Sequence, residues 1–297
     1  MKSICCFGEV LWDLLPSGKV AGGAPMNVAI HANNLGLKAS MISAVGNDDL
    51  GNELKKFIAE RGLSLETIQT LENAPTGIVE VALDAHGVAS YTITENVAWD
   101  FIELQETAQL AVKNADIVVF GSLVTRHAQS RNTLFALLEN AKLKILDVNL
   151  RQPFYSAEGI KTLLDKADIL KVNDEELALI GSWFGQTGSE TDLANYFRNQ
   201  YNLQGIIVTR GGNGAFFIDN EGNYFEHQGY KVSVADTVGS GDSFLASFLT
   251  KWINGSSPAT CLAFACAVGA FVATQKGATP VVSEQYITEN FLTHSNE

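Results

Sequence analysis

A carboxylate, a run of small residues and a second carboxylate at the start of an apolar helix lie together in Asp236-Thr237-Val238-Gly239-Ser240-Gly241-Asp242-Ser243-Phe244. Gly239 and Gly241 let backbone N–H groups come close to a phosphate, and a helix N-terminus adds positive partial charge. Asp242 then stands where a base would take the proton of an incoming hydroxyl. The plainer reading of the same letters is a loop with an ordinary Asp helix cap. A second segment, Ala21-Gly22-Gly23-Ala24-Pro25-Met26-Asn27, opens the first long helix, expected over Val28–Leu35 and ended by Gly36. Gly22 and Gly23 permit close approach to a ligand, Pro25 suits a first helical turn, and Asn27 offers both a donor and an acceptor. Sugar diols are read by such groups. Taken alone, this segment reads equally as a turn and cap.

Three further polar or Gly-rich pieces end apolar runs. In Asp147-Val148-Asn149-Leu150-Arg151 the polar side chains are spaced by two, which places them on one face of a strand. Asn173-Asp174-Glu175-Glu176 and Thr209-Arg210-Gly211-Gly212-Asn213-Gly214 are the others. Singly each is a common loop, and Asn173 with Glu176 is the pattern of a capping box. The elements that carry them change that. Ser3–Gly8, Ala39–Val45, Asp116–Gly121, Lys144–Val148, Asp168–Val172 and Gly205–Thr209 read as buried strands. Helical spacing fills the gaps, as in Leu50, Leu54, Phe57 and Ile58, or Leu134, Leu137 and Leu138 behind a capping Ser130. Such alternation means a doubly wound α/β fold, a mostly parallel sheet with helices on both faces. Ligands bind outside the carboxyl ends of these strands, so successive polar exits point to one site.

Two stretches break the rhythm. Residues 76–94 read as alternating strands, GIVEVALD and VASYTIT, joined at Asp84-Ala85-His86-Gly87. With the segment around Trp12–Val20 they would form a small β-layer, a candidate lid or a plain extension of the sheet edge. A later hairpin pairs Ala215–Ile218 with Tyr224–His227 about Asn220-Glu221-Gly222.

Composition bounds the partners. The 297 residues are 46% AVILMFWYC and 18% charged, a globular balance, with a formal net charge of −13. So acidic a chain does not invite nucleic acid or an anionic membrane surface, and a phosphate ligand must be held by local devices. The cysteines Cys5, Cys6, Cys261 and Cys266 sit among apolar residues without zinc spacing, as expected of free thiols in a reducing cytosol. The opening MKSICCFGEVLWD is not patterned as a signal peptide, and no apolar run approaches a membrane span. These features read as a soluble cytoplasmic protein, in which the sequon Asn254-Gly255-Ser256 meets no glycosylation machinery.

In this order the motifs resemble the PfkB, or ribokinase-like, family of sugar kinases, and most of all its fructokinase branch. The resemblance runs from Gly8 to Pro280 and rests on Gly22-Gly23-Ala24-Pro25-x-Asn27 and Asp236-Thr237-x-Gly239-x-Gly241-Asp242. Ser240 stands where the family usually has Ala, and its small size keeps the loop shape. The resemblance implies a single ribokinase-like domain over residues 1–297, with a small β-sheet lid formed by about residues 12–20 and 76–98. It also implies ATP and Mg²⁺. Asp242 matches the general base, and the N–H groups of Gly239, Ser240, Gly241 and Asp242 the anion hole for the transferring phosphoryl. Asn173 and Glu176 match the N-x-x-E that organises Mg²⁺ and its waters. Thr209, Gly211, Gly212 and Gly214 match the loop beside the nucleotide. Asp13 in Gly8-Glu9-x-x-x-Asp13, with Gly22, Gly23 and Asn27, matches sugar ligands, and Asn149 and Arg151 match polar contacts to phosphate or sugar. A monovalent cation, potassium the candidate, is usual beside Asp236 and Val238, with carbonyls from Val272–Gly277. A homodimer through the lid is a further candidate.

There is no P-loop lysine, since Ser17-Gly18-Lys19 lacks the upstream glycine and following hydroxyl. D-fructose is the expected acceptor, with ribose and 2-keto-3-deoxygluconate as competitors. An acidic acceptor would need a cation, which Arg126 or His127 would supply if they are not simply solvated. Trp99 and Tyr91 would either stack on a sugar or pack. A non-catalytic sugar- or nucleotide-binding protein on the same fold is the rival class, against which Asp242 argues. A dinucleotide-dependent dehydrogenase fits less well, because Gly8-Glu9-Val10 stands where G-x-G-x-x-G would follow the first strand.

Overall fold

A computed structural model describes residues 1–15, 18–83 and 89–293. Its strands are β1 (Ser3–Phe7), β2 (Leu11–Leu15), β3 (Gly18–Gly22), β4 (Lys38–Gly46), β5 (Ile68–Leu71), β6 (Gly77–Leu83), β7 (Ala89–Ile93), β8 (Ile117–Gly121), β9 (Lys144–Asp147), β10 (Ile169–Asn173), β11 (Gly205–Thr209), β12 (Ala215–Asp219) and β13 (Tyr224–His227). The main helices are α1 (Ala24–Asn34), α2 (Asp49–Glu60), α3 (Glu106–Asn114), α4 (Ala128–Leu138), α5 (Ala157–Leu164), α6 (Asp174–Trp183), α7 (Glu190–Gln200), α8 (Ser240–Ile253) and α9 (Pro258–Ala273).

Among the described residues a nine-stranded sheet has the order β13-β12-β11-β10-β9-β8-β1-β4-β5. From β11 to β5 every neighbouring pair is parallel, and β12 and β13 close one edge antiparallel. Apolar residues on both faces explain why these strands read as continuous apolar runs. Successive side chains of β1 divide between the faces: Cys5 and Phe7 join the core under α3–α7, Ile4 and Cys6 the core under α1, α2, α8 and α9. The neighbouring cysteines therefore point apart, and all four thiols are free and buried.

A second sheet of four strands, β3-β2-β6-β7, brings together both segments expected in the small β-layer. Trp12 anchors it: its Nε1 donates to the Leu50 carbonyl at 3.0 Å, and its ring meets Phe57 of α2 edge-on. The Asp84-Ala85-His86-Gly87 turn and the side chain of Tyr91 lie outside what is described.

Local corrections are few. The first long helix begins at Ala24, four residues before the expected Val28, because Pro25 fits its first turn. His127, not Ser130, caps α4; the Ser130 hydroxyl is buried, donating to the Trp99 carbonyl and accepting from Ile102 N–H. Among the described residues, no helix is long and apolar enough to cross a membrane.

Candidate active site

The two glycine-rich signatures, 215 residues apart in sequence, meet through one hydrogen bond: Asn27 Nδ2 donates to Asp242 Oδ2 at 2.8 Å. Asn27 comes from the first turn of α1 and Asp242 from that of α8. Gly239, with φ 78°, is the N-cap of α8, so Asp242 is the third helical residue rather than the cap. A Cβ on Gly239 would lie 2.4 Å from the Ala278 carbonyl oxygen, so only glycine fits. The Ser240 N–H is engaged by the Thr237 carbonyl at 3.2 Å. Those of Gly241 and Asp242 lie in the first helical turn, where no intrahelical carbonyl reaches them. On the other side, a Cβ on Gly23 would lie 2.3 Å from the Glu9 carbonyl oxygen, and one on Gly22 would lie 2.6 Å from Asp13 Oδ2. The Gly23 position, at φ 123° against the Glu9 backbone, admits only glycine, whereas Gly22 meets only the ends of the Asp13 and Leu11 side chains.

All of this gathers at the carboxyl ends of the parallel strands. From β1 the chain crosses first to β4 on one side and later to β8 on the other, so the strand order reverses here. Such a switch point opens a crevice. Asp242 is partly open to solvent yet deep among protein atoms. Burial and the Asp147 carboxylate push it up to about 6, while the Asn27 bond, Lys171 and Arg151 pull it down. Lys171 of β10 is buried, with Nζ 2.9 Å from Asp147 Oδ1 and against Gly241 of the loop. Burial disfavours its charge, but Asp147, Glu176 and Asp242 outweigh that and hold its ammonium above the ordinary lysine range. Asp13 is raised by burial against the pull of Arg151.

Asp147, Asn149 and Arg151 do not share a strand face as their spacing suggested. The strand ends at Asp147, Asn149 turns to φ 43°, and Arg151 is exposed, donating to the Leu150 carbonyl at 3.0 Å. The alternation rule lapses once the chain leaves the sheet. At the next exit Asn173 caps α6: its Oδ1 accepts from Glu176 N–H at 2.7 Å, and Glu176 Oε2 accepts from Asn173 N–H at 3.0 Å. Glu176 Oε1 accepts from Leu150 N–H at 2.8 Å, tying the β9 exit to α6. Thr209 ends β11, followed by a turn over Gly211–Asn213 whose glycines have open space beside them. Gly214 differs, since a Cβ there would meet the His227 carbonyl oxygen at 1.9 Å. Asp236 accepts from Val238 N–H at 3.0 Å and Gly277 N–H at 3.3 Å, holding the loop before α8 to the segment after α9.

The model of the pfkB family of carbohydrate kinases matches residues 1–285. The chain belongs to that family. It is an ATP-dependent carbohydrate kinase. A probable fructokinase of Arabidopsis thaliana is 31% identical over 310 residues, covering 94% of each chain. A sugar kinase of Pyrococcus horikoshii in complex with ATP is 29% identical with TM-score 0.82, covering 96% of this chain and 97% of that one. The fructokinase of Xylella fastidiosa with bound ATP shares the fold at TM-score 0.86 and 23% identity, covering 97% and 98%.

Two of the kinase's buried polar residues escaped the reading of the sequence as site residues. Lys171 sits inside the apolar run of β10, where a lysine demands a buried anion, and that demand was the available signal. Glu9 is 4% exposed, and its Oε1 accepts from Ala24 N–H at 3.3 Å. The Arg126 side chain is buried rather than solvated, and its Nη1 has no hydrogen-bond partner among the described residues. It makes a two-pronged pair with Asp100 at 2.7 Å, donates to the Thr94 carbonyl and stacks on Trp99 and Phe154. Trp99 is wholly buried, so it packs.

Proposed function

We propose that this kinase transfers the γ-phosphoryl group of ATP to a hydroxyl of D-fructose, giving fructose 6-phosphate and ADP. The observation that carries the reading is the Asn27–Asp242 bond, which sets a carboxylate raised to about 6 beside a sugar-reading amide at the start of α8. Fructose itself is supported by the relatives around 30% identity. Asp13, Gly22, Gly23 and Asn27 would hold the sugar, with Asn149 and Arg151 at its edge. Asp242 would take the hydroxyl proton as the oxygen attacks, a role for which a base near neutrality is suited. The N–H groups of Gly239, Gly241 and Asp242 and the α8 dipole would face the phosphoryl charge, with the Ser240 N–H held by the Thr237 carbonyl, since this transfer needs positioning and neutralisation above all. Asn173, Thr209, Gly211, Gly212 and Gly214 would flank the nucleotide.

Among the described residues no three His, Cys, Asp or Glu side chains cluster to hold a metal. That suits Mg²⁺, which keeps most of its waters and rides on phosphates, where it neutralises their charge. Each Glu176 oxygen has a lone pair left beyond its N–H bond with which to orient such a water. For potassium, Asp236, Val238 and Gly277 with neighbouring carbonyls are the candidate set. A fold neighbour, the fructokinase of Vibrio cholerae, holds fructose, ADP and a potassium ion at 21% identity and TM-score 0.83. The small sheet would close over the sugar and pair two subunits, and buried free thiols fit a reducing cytoplasm.

A second reading has one observation in its favour. Arg151 is exposed near Asp13, Glu9 and Asp242, a cation that 2-keto-3-deoxygluconate would use. Coupled ADP release measured with fructose, ribose and 2-keto-3-deoxygluconate decides. Fructose is expected to give the highest kcat/KM. A better acidic acceptor would transfer the assignment, and binding without turnover of any would make the protein a binder.

A further inference from the structure

Below the acceptor side of the site, between the exits of β1, β8 and β9, lies a small hollow. It has about 10 Å³ of room for the centre of a water molecule, close to the least that holds one. Glu9, Ser122 and Asp147 line it and are 4%, 2% and 4% exposed. Each has a buried polar atom without a hydrogen-bond partner in the protein: Glu9 Oε2, Ser122 Oγ and Asp147 Oδ2. The second oxygen of each carboxylate is engaged, Glu9 Oε1 by Ala24 N–H and Asp147 Oδ1 by Lys171. Pro25, Val28, Val119 and Phe120 make up much of the remaining wall and offer no side-chain donor. Three residues with unpartnered buried oxygens line one hollow whose remaining wall is mostly apolar, and those oxygens carry a desolvation penalty that nothing within the chain offsets.

We propose that one buried water molecule occupies this hollow as a fixed part of the site, donating to Glu9 Oε2 and Asp147 Oδ2 and accepting from the Ser122 hydroxyl. A water has the two donors and the acceptor that this wall requires, which is how such buried groups are commonly satisfied. It also serves both charge states of Glu9, which burial raises to about 7 against the pull of Arg151 and the Ala24 N–H. The position gives the water a purpose. Through Glu9 it reaches Ala24 and the first turn of α1, which presents Asn27. Through Asp147 it reaches Lys171, whose ammonium lies against Gly241. The two halves of the site are thereby joined from below as well as by the Asn27–Asp242 bond. Glu9 and Ser122 are positioning residues in this arrangement.

A crystal structure of the unaltered chain at about 1.5 Å tests the site directly, since contacts of about 2.6–3.2 Å to all three oxygens identify a water. One isolated peak with those contacts is expected. An empty hollow, a direct Glu9–Asp147 contact, or a peak with the shorter distances and higher coordination of a cation overturns the proposal. The kinetic arm rests on the kinase reading. Ser122→Val fills the hollow with methyl groups and expels the water, so kcat/KM for the sugar should drop by roughly tenfold or more, the scale of one lost buried polar link. Ser122→Ala leaves the water on two carboxylates and should change kcat/KM less than about threefold. Equal effects from the two variants would refute the positioning role while the kinase reading stands. An unaltered chain that turns over no sugar would sink the kinase reading, and the density in the hollow would still decide the water. If Ser122→Val does not fold, the density in the unaltered chain decides the proposal by itself.

Discussion

Asp242 offers the sharpest test, because its charge, its rate and its stability effect are tied to one number. Burial and the Asp147 charge raise its carboxyl to about 6. A base must be ionised to accept a proton, so kcat/KM should be nearly flat above pH 7 and fall as pH drops through 6. At pH 5 about one-tenth of the groups remain ionised, and the rate should be about a tenth of its plateau. Nucleotide phosphates also titrate near 6, so the profile needs a control. Asp242→Asn supplies it, keeping the size and an acceptor for Asn27 while removing the base. Its kcat should fall by about 10²–10⁴, and the residual rate should lose the acid limb while sugar still binds. Stability should move the other way. A carboxyl raised on folding weakens the native state above its unfolded value and relaxes as pH falls through the folded one. Removing its charge should therefore stabilise the protein at pH 7 by about 1–2 kcal/mol, after discounting a shift of roughly two pH units for partial exposure. Steady-state kinetics from pH 5 to 8, with thermal unfolding of both proteins, make the measurement. Near-parent turnover in the variant, or an acid limb that persists in it, refutes the assignment.

Two more outcomes follow from the same geometry. Glu176→Gln keeps the acceptor in the capping box but loses the charge, so the Mg²⁺ requirement should rise and kcat fall; if both stay at parent values, Glu176 is only a cap. Lys171→Met strands the buried Asp147 carboxylate and should cost about 3–5 kcal/mol in urea unfolding, with most of the loss recovered in Lys171→Met/Asp147→Leu; a single variant as stable as the parent would refute the pairing.

What the sequence shows plainly is what backbone sterics and burial on two faces impose. The strands of a covered parallel sheet must be apolar on both sides, and the β1, β4, β8, β9, β10 and β11 segments fall within a residue or two of their apolar runs. Gly23 and Gly239 are legible for a related reason: no other residue fits at φ 123° or 78° against a carbonyl oxygen. Tertiary pairing is hidden. Arg126 looks like a surface cation until Asp100, Trp99 and Phe154 surround it, and those lie 26, 27 and 28 residues away. Ser130 is a good cap by type, yet its hydroxyl answers the Trp99 carbonyl and Ile102 N–H instead. The β9 exit failed differently. Spacing by two says nothing about facing once Asn149 leaves the strand conformation.

The acidity of the chain explains how its site is built. A net charge of −13 provides no field to gather phosphate, so the attraction must be made locally. Lys171 cannot supply it unaided, because Asp147 neutralises it at 2.9 Å. What it does instead is balance the Asp147 carboxylate with an ammonium that lies against Gly241. On the proposed mechanism the N–H groups at the start of α8 would act in a partly desolvated crevice, where fixed dipoles count for more than in water. The same balance would tune Asp242 as the proposed base. With Asp147 unpaired, Asp242 would be pushed higher still and lose charge at neutral pH; with Lys171 unopposed, it would be held lower and become a poorer base. Burial and the Asp147 charge, opposed by the hydrogen bond from Asn27 and by Lys171 and Arg151, leave it near 6, where a carboxylate is both ionised at pH 7 and basic enough to take a proton.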